Sequence, residues 1–306
     1  MFKSLKKRYA PWWQLYVFLL IPVIWVIIFK YIPMAGIQLA FRKYDISGGI
    51  WNSPWVGFQN FQKFFRSYQF ERVIKNTLRL SVYSIFAGFP FPIIFALLLN
   101  SVEHVRFKKI VQTITYMPHF ISMVVLVSMI IQIFNPNHGL YGIIFKAITG
   151  TKPEDILASP GGFVHLYVWS GIWQGFGWGS IMYLAALTSI NTELYEAAEI
   201  DGANRFQRLI HIDIPGILPT VTIMLILRTG SVMSIGFEKV FLMQNSLNLA
   251  TSEVISTYEY KRGLASGGSS DFSLSTAIGL FNSTVNLIIL VIVNKIANKL
   301  SETSLW

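Results

Sequence analysis

The chain has 306 residues, of which 53% are hydrophobic and only 13% charged. With a mean hydropathy of +0.50, that mixture is too apolar for a soluble domain and belongs with membrane proteins. The absence of cysteine excludes disulfides and thiolate metal sites. The net charge of +10 sits at the ends of apolar runs, as anchors at anionic lipid do, so no nucleic-acid partner is expected.

Residues 1–13 form a basic tail with Lys3, Lys6, Lys7 and Arg8. The apolar run behind it is long and lacks a small-residue cleavage site, so it reads as a retained anchor. A helix of about 20 apolar residues crosses the hydrocarbon core. Residues 14–34, 78–99, 111–134, 163–188, 221–243 and 273–293 meet that length. Six spans place both termini on one side. Arg106, Lys108 and Lys109, Arg205 and Arg208, and Lys295 and Lys299 lie on the N-terminal side of the spans. Arg42, Lys43, Lys63 and Arg66 lie on the other side, in a long loop that counts for less. The tail cluster tips the balance towards cytoplasmic N- and C-termini.

The first external loop, 40–75, is aromatic. Phe61, Phe64, Phe65 and Tyr68 recur at i, i+3, i+4 and i+7, the spacing of an amphipathic helix. Trp51 and Trp55 read as interfacial belt residues. Pro22, Pro90, Pro92 and Pro118 fall inside spans and predict bends there. The fourth span carries Trp169, Trp173, Gln174, Trp178 and Tyr183 among Gly171, Gly175, Gly177 and Gly179. Aromatic faces and hydrogen-bonding side chains on a helix wall suit a sugar; equally, the glycines suit close helix packing and the tryptophans an interface. Trp173, Gln174, Trp178 and Tyr183 are therefore substrate-path candidates. Asn282 and Asn286 join them, because polar atoms in span six need partners or a cavity. Arg228 is the one charge well inside a span, and a bond to a neighbouring helix is expected for it.

The polar island 191–220 organises the rest. Asn191 or Thr192 can cap a helix bearing Glu193, Glu196 and Glu199, and Gly202 suits a left-handed corner behind it. Phe206, Leu209 and Ile210 then mark a second short helix that Pro215 should end. The run EAAEIDGANRFQRLIHIDIPGILP within it resembles the EAA motif of permease subunits of bacterial binding-protein-dependent ABC importers. Glu196, Ala197, Ala198, Asp201, Gly202, Ala203, Ile212 or Ile214, Pro215 and Pro219 carry the match. The loop 40–75, FKYIPMAGIQLAF and YMPHFIS resemble the carbohydrate branch of oligo- and polysaccharide permeases.

The resemblance implies an all-α polytopic fold of the type I importer class: residues 1–13 a cytoplasmic tail, residues 14–306 the transmembrane domain. It also implies that Glu196, Ala197, Ala198, Asp201, Gly202 and Ala203 form a coupling helix docking on a partner ATPase. The implied partners are a second homologous permease, a cytoplasmic ABC ATPase dimer, an extracellular solute-binding protein, an oligosaccharide and membrane lipid. The implied location is the bacterial plasma membrane, multi-pass. No cofactor is implied, and no catalytic residue or metal site is expected. His104, His119, His138, His165 and His211 show no metal spacing, and there is no phosphate-binding loop or nucleophile elbow, so ATP hydrolysis would belong to a partner. Two alternatives stay open: a permease for a non-sugar solute, and an ion-coupled transporter, which would need an intramembrane acid.

Overall fold

A computed structural model describes residues 12–265, 270–301 and 304–305. The basic cluster Lys3 to Arg8 lies outside them. The described residues are almost entirely helical, and their only β feature is a single bridge between Arg42 and Trp55. Helices satisfy their own backbone polar groups, as a chain in hydrocarbon must.

The chain divides into two compact units: residues 1–66 with 259–280, and residues 67–258 with 281–306. In the first, α1 (Trp13–Phe41) is α-helical, then widens and tightens through a π and a 3-10 segment. Its apolar window is not buried at all, so its whole girth suits lipid or another protein rather than its own core. Behind it Phe41 stacks on Trp55 with ring centroids 5.5 Å apart. Asn60 donates to the carbonyls of Ala40 and Arg42, both at 2.9 Å. The amphipathic helix expected from Phe61 to Tyr68 is shorter, α2 (Gln59–Phe65). Of its three aromatics, Phe61, Phe64 and Phe65, only Phe64 is buried, and Tyr68 lies beyond its end, 83% exposed.

The second unit holds α3 (Phe70–Asn100), α4 (Val105–Phe120), α5 (Met123–Ile133), α6 (Leu140–Thr149), α7 (Pro160–Thr188), α8 (Thr192–Ile200), α9 (Arg205–Gly230) and α10 (Phe237–Met243); α11 (Phe272–Ser301) begins in the first unit and ends in this one. α7 is its central post and packs along α3. Two apolar clusters hold it. Leu80, Leu126, Phe163, Val164 and Val240 form one; Ala96, Leu99, Tyr183, Leu187 and Ile217 form the other.

Three span assignments change. The expected span 111–134 is broken: α4 and α5 meet at 96°. Pro118 lies in the closing 3-10 turn of α4, and the Ser122 hydroxyl caps α5 by accepting from the Val125 amide. The expected span 221–243 begins earlier and stops sooner. Pro215 does not end the helix of the island; α9 runs from Arg205 to Gly230 without a break in the helix. The residues just before Pro215, Leu209–Asp213, widen to a π turn, which accommodates a residue with no amide proton to give. Residues 231–236 then turn, and α10 is a separate short helix. Finally, four helices and the bent pair are long and apolar enough to cross a membrane. α7, at 29 residues, is long enough, but its tryptophans, glycines and Gln174 make it less apolar.

Candidate functional site

The island folds as a cornered pair of helices. Asn191 caps α8 by accepting from the Glu193 amide at 3.0 Å. The exit is a Schellman turn: Gly202 has φ +76°, its amide donates to the Glu199 carbonyl at 3.1 Å, and the Ala203 amide donates to Ala198 at 2.8 Å. A capping box between Asn204 and Gln207 opens α9. Two charge contacts brace the corner, Arg208 to Glu199 and Arg205 to Glu103, the latter at 2.6 Å.

Beneath the corner the Tyr195 hydroxyl donates to buried Asp213 at 2.5 Å, and Asn100 reaches the same oxygen at 3.5 Å. Burial, with the adjoining carboxylate of Asp213, pushes the Tyr195 hydroxyl well above its ordinary pKa, so it stays protonated and keeps donating. The only signal of this bond in the sequence is an acid two residues before Pro215 in an apolar run. Above the corner, Glu196, Ala197, Asp201 and Gly202 are exposed, with Ala198 and Ala203 half-buried. So are three large apolar side chains: Leu194 at 53%, Ile200 at 88% and Phe206 at 69%.

The six substrate-path candidates do not converge on one cavity. Gln174 donates to the Ile121 carbonyl at 3.0 Å, bridging the α4–α5 break. Trp178 stacks flat on His119, centroids 4.6 Å apart. Trp173 is half-exposed on α7, and Tyr183 is buried. Asn286 accepts from the Met233 amide at 2.9 Å and donates to Ser234 at 2.8 Å, holding the turn after α9. The Asn282 carbonyl oxygen is buried without a partner among the described residues. The glycines of α7 serve packing at Gly177, where a Cβ would lie 2.1 Å from the Thr115 carbonyl oxygen.

Besides a pocket of about 160 Å³ under the corner, lined by Tyr195, Arg205 and Asp213, two clefts lie between helices of the second unit among the described residues. One, of about 170 Å³, lies among Ser81, Ser84, Tyr167, Ser231 and Ser234. The other, of about 340 Å³, lies among Phe89, Pro92, Tyr183 and Leu227. Arg228 lines both. The bond expected between Arg228 and a neighbouring helix is not formed: its guanidinium makes no hydrogen bond or ion pair among the described residues.

Long apolar helices, clefts between them and a polar corner built into one of those helices define a multi-pass helical membrane transport subunit. The chain belongs to the family of binding-protein-dependent transport system inner membrane components, whose model matches residues 88–302. It is 40% identical to protein LplB of Bacillus subtilis, over 95% of this chain and 91% of that protein. It is 39% identical to the polygalacturonan/rhamnogalacturonan transport system permease protein YteP of the same organism, over 95% and 90%. A chain in the crystal structure of a bacterial ABC transporter involved in import of the acidic polysaccharide alginate superposes with a TM-score of 0.86 at 39% identity, covering 97% of this chain and 99% of that one. A chain in the crystal structure of a bacterial alginate ABC transporter in complex with alginate pentasaccharide-bound periplasmic protein superposes with a TM-score of 0.87 at 39% identity, covering 98% of this chain and 99% of that one.

Proposed function

We propose that this chain is the permease subunit of an oligosaccharide importer, fed by an external binding protein, paired with a sister permease and driven by a pair of ATPase subunits, one of which docks on residues 191–220. The observation that carries the reading is the exposed apolar set Leu194, Ile200 and Phe206 around a corner whose turn amides, from Asp201 to Asn204, are all bonded. Apolar side chains on a polar protrusion mark a docking surface. The second helix of that corner is also the start of α9. At 1.5 Å per residue, Arg205 to Arg228 spans about 35 Å, so a push on the corner reaches the clefts through one helix and its brace at Asp213. Alternating access then needs only that the ATP-bound ATPase pair favour one tilt of α9 over the other.

In this reading residues 191–220 and both termini face the cytoplasm, α7 is a sixth span, residues 1–13 are a tail and 14–306 the transmembrane domain. Glu196, Ala197, Ala198, Asp201, Gly202 and Ala203 form the docking knob. The sugar class comes from the relatives that transport polysaccharides, supported by the serine and aromatic walls of the two clefts.

The test is ATPase activity of the complex purified through this chain with its sister permease and ATPase subunits in nanodiscs, with and without oligosaccharide-loaded binding protein. Gly202→Asp adds a charged side chain at the exposed corner; the φ of +76° costs a residue with a Cβ about 1–2 kcal/mol, but that Cβ meets nothing within 4 Å, so the complex should still assemble and lose stimulation. Full stimulation in that variant, or no ATPase associated with the wild type, overturns the docking role.

A further inference from the structure

Arg228 stands where the two clefts meet. Its place in the last turn of α9 suits the negative end of the helix dipole, yet that half-charge leaves a guanidinium with five donors unsatisfied. Neither cleft is lined by an aspartate or a glutamate. Gly88 lies beneath it: a Cβ there would be 3.6 Å from Nη2, leaving the fork room on that side. A cation held at membrane depth without a partner is costly, and such side chains mark the path of a solute.

The walls around it are set in advance. Asn286 donates to the Ser234 hydroxyl, whose own proton has no acceptor among the described residues. Ser81 donates to the Val232 carbonyl, tying the turn after α9 to α3. Serine hydroxyls on one side and the part-exposed ring of Phe89 on the other offer hydrogen bonds to sugar hydroxyls and a flat face to sugar C–H surfaces. The planar guanidinium fork between them matches a carboxylate by two parallel N–H···O bonds.

We infer that Arg228 is the anion-recognition point of the translocation path, and that the oligosaccharide carried bears carboxylates, as uronic acid units do. The inference rests on the transport reading above and narrows its substrate class. A single cation between uncharged walls also suits passage: it attracts each carboxylate in turn without the cage that would hold it.

The experiment compares an oligogalacturonate pentasaccharide with its carboxyl-reduced, neutral counterpart, binding each to the wild-type complex in nanodiscs without binding protein, so that the permease alone is read. The acidic probe should bind about 10- to 100-fold more tightly, the ratio expected when a hydrogen bond to a charged group is added, and rising salt should shrink that ratio. Arg228→Gln should abolish it by weakening only the acidic probe, while Arg228→Lys, which keeps the charge but not the fork, should retain part of it. Equal wild-type affinity for the two probes, no binding of either, or an Arg228→Gln loss equal for both overturns the inference; the equal loss would mean that Arg228 pairs with an acid of the sister permease. ATPase stimulation and its dependence on Gly202 are measured in the same preparation. If they persist while the acidic preference is absent, the narrower claim alone has failed.

Discussion

Gly175 and Gly177 lie two residues apart in α7, and the structure assigns them opposite responses to one methyl group. At Gly177 a Cβ would sit 2.1 Å from the carbonyl oxygen, 2.6 Å from the carbonyl carbon and 3.0 Å from the Cβ of Thr115. The obstruction is the backbone of α4, which cannot turn aside as a side-chain tip can, and the Thr115 hydroxyl is itself bonded back to the Val111 carbonyl at 2.8 Å. Overpacking costs about 1–3 kcal/mol, and a backbone clash this close belongs at the upper end. Replacing glycine within a helix returns about 0.5–1 kcal/mol, so Gly177→Ala should lose about 2 kcal/mol. At Gly175 nothing lies within 4 Å, and Gly175→Ala should keep the whole helix-propensity gain. The two variants should therefore differ by about 3 kcal/mol, or roughly 6–12 °C in melting temperature at about 2–4 °C per kcal/mol. Intrinsic fluorescence melts in detergent read this directly through the nine tryptophans. Variants melting within about 2 °C of each other would refute the close α7–α4 contact.

Two further outcomes follow from single side chains. Tyr195→Phe removes the donor that holds buried Asp213, a bond to a charged group worth about 1.5–3 kcal/mol; amide exchange across residues 192–200 should quicken about tenfold or more, and an unchanged rate would mean that α8 is held by other contacts. Burial raises the Glu259 carboxyl to about 7 from an ordinary 4.5, so the folded chain binds this proton more tightly than the unfolded one. The stability this contributes is complete below about pH 4.5 and is lost as the pH rises through 7. Glu259→Gln should flatten that part of the melting-temperature profile, and an identical decline in both proteins would assign it to other groups.

Much of the candidate site was legible locally. Asn191, the acids of α8 and Gly202 specify a capped helix with a left-handed exit, because caps and corners depend on residues within one or two turns. The aromatic loop was less legible: Phe61, Phe64, Phe65 and Tyr68 have helical spacing, but spacing does not say that the chain turns after Phe65. The six path candidates had the right chemistry for a sugar, yet four of them meet protein, Tyr183 among them in an apolar cluster. Gln174 closes a helix break, Trp178 lies on His119 and Asn286 holds a turn. A polar side chain in an apolar run announces that it needs a partner without saying whether that partner is a solute or a backbone carbonyl.

The amino-acid sequence by itself determined the class, since 53% hydrophobic residues in runs of membrane length leave a helical membrane protein as the available solution. It also determined the corner at Gly202, since φ +76° belongs to a residue without a Cβ. Tertiary structure alone decided that Pro215 lies within one helix joining corner to cleft, because whether a proline ends a helix depends on whether the preceding turn can widen. Tertiary structure alone also decided that Arg228 has no partner among the described residues, since the neighbours that could neutralise a charge come from distant parts of the chain and are brought together only by packing.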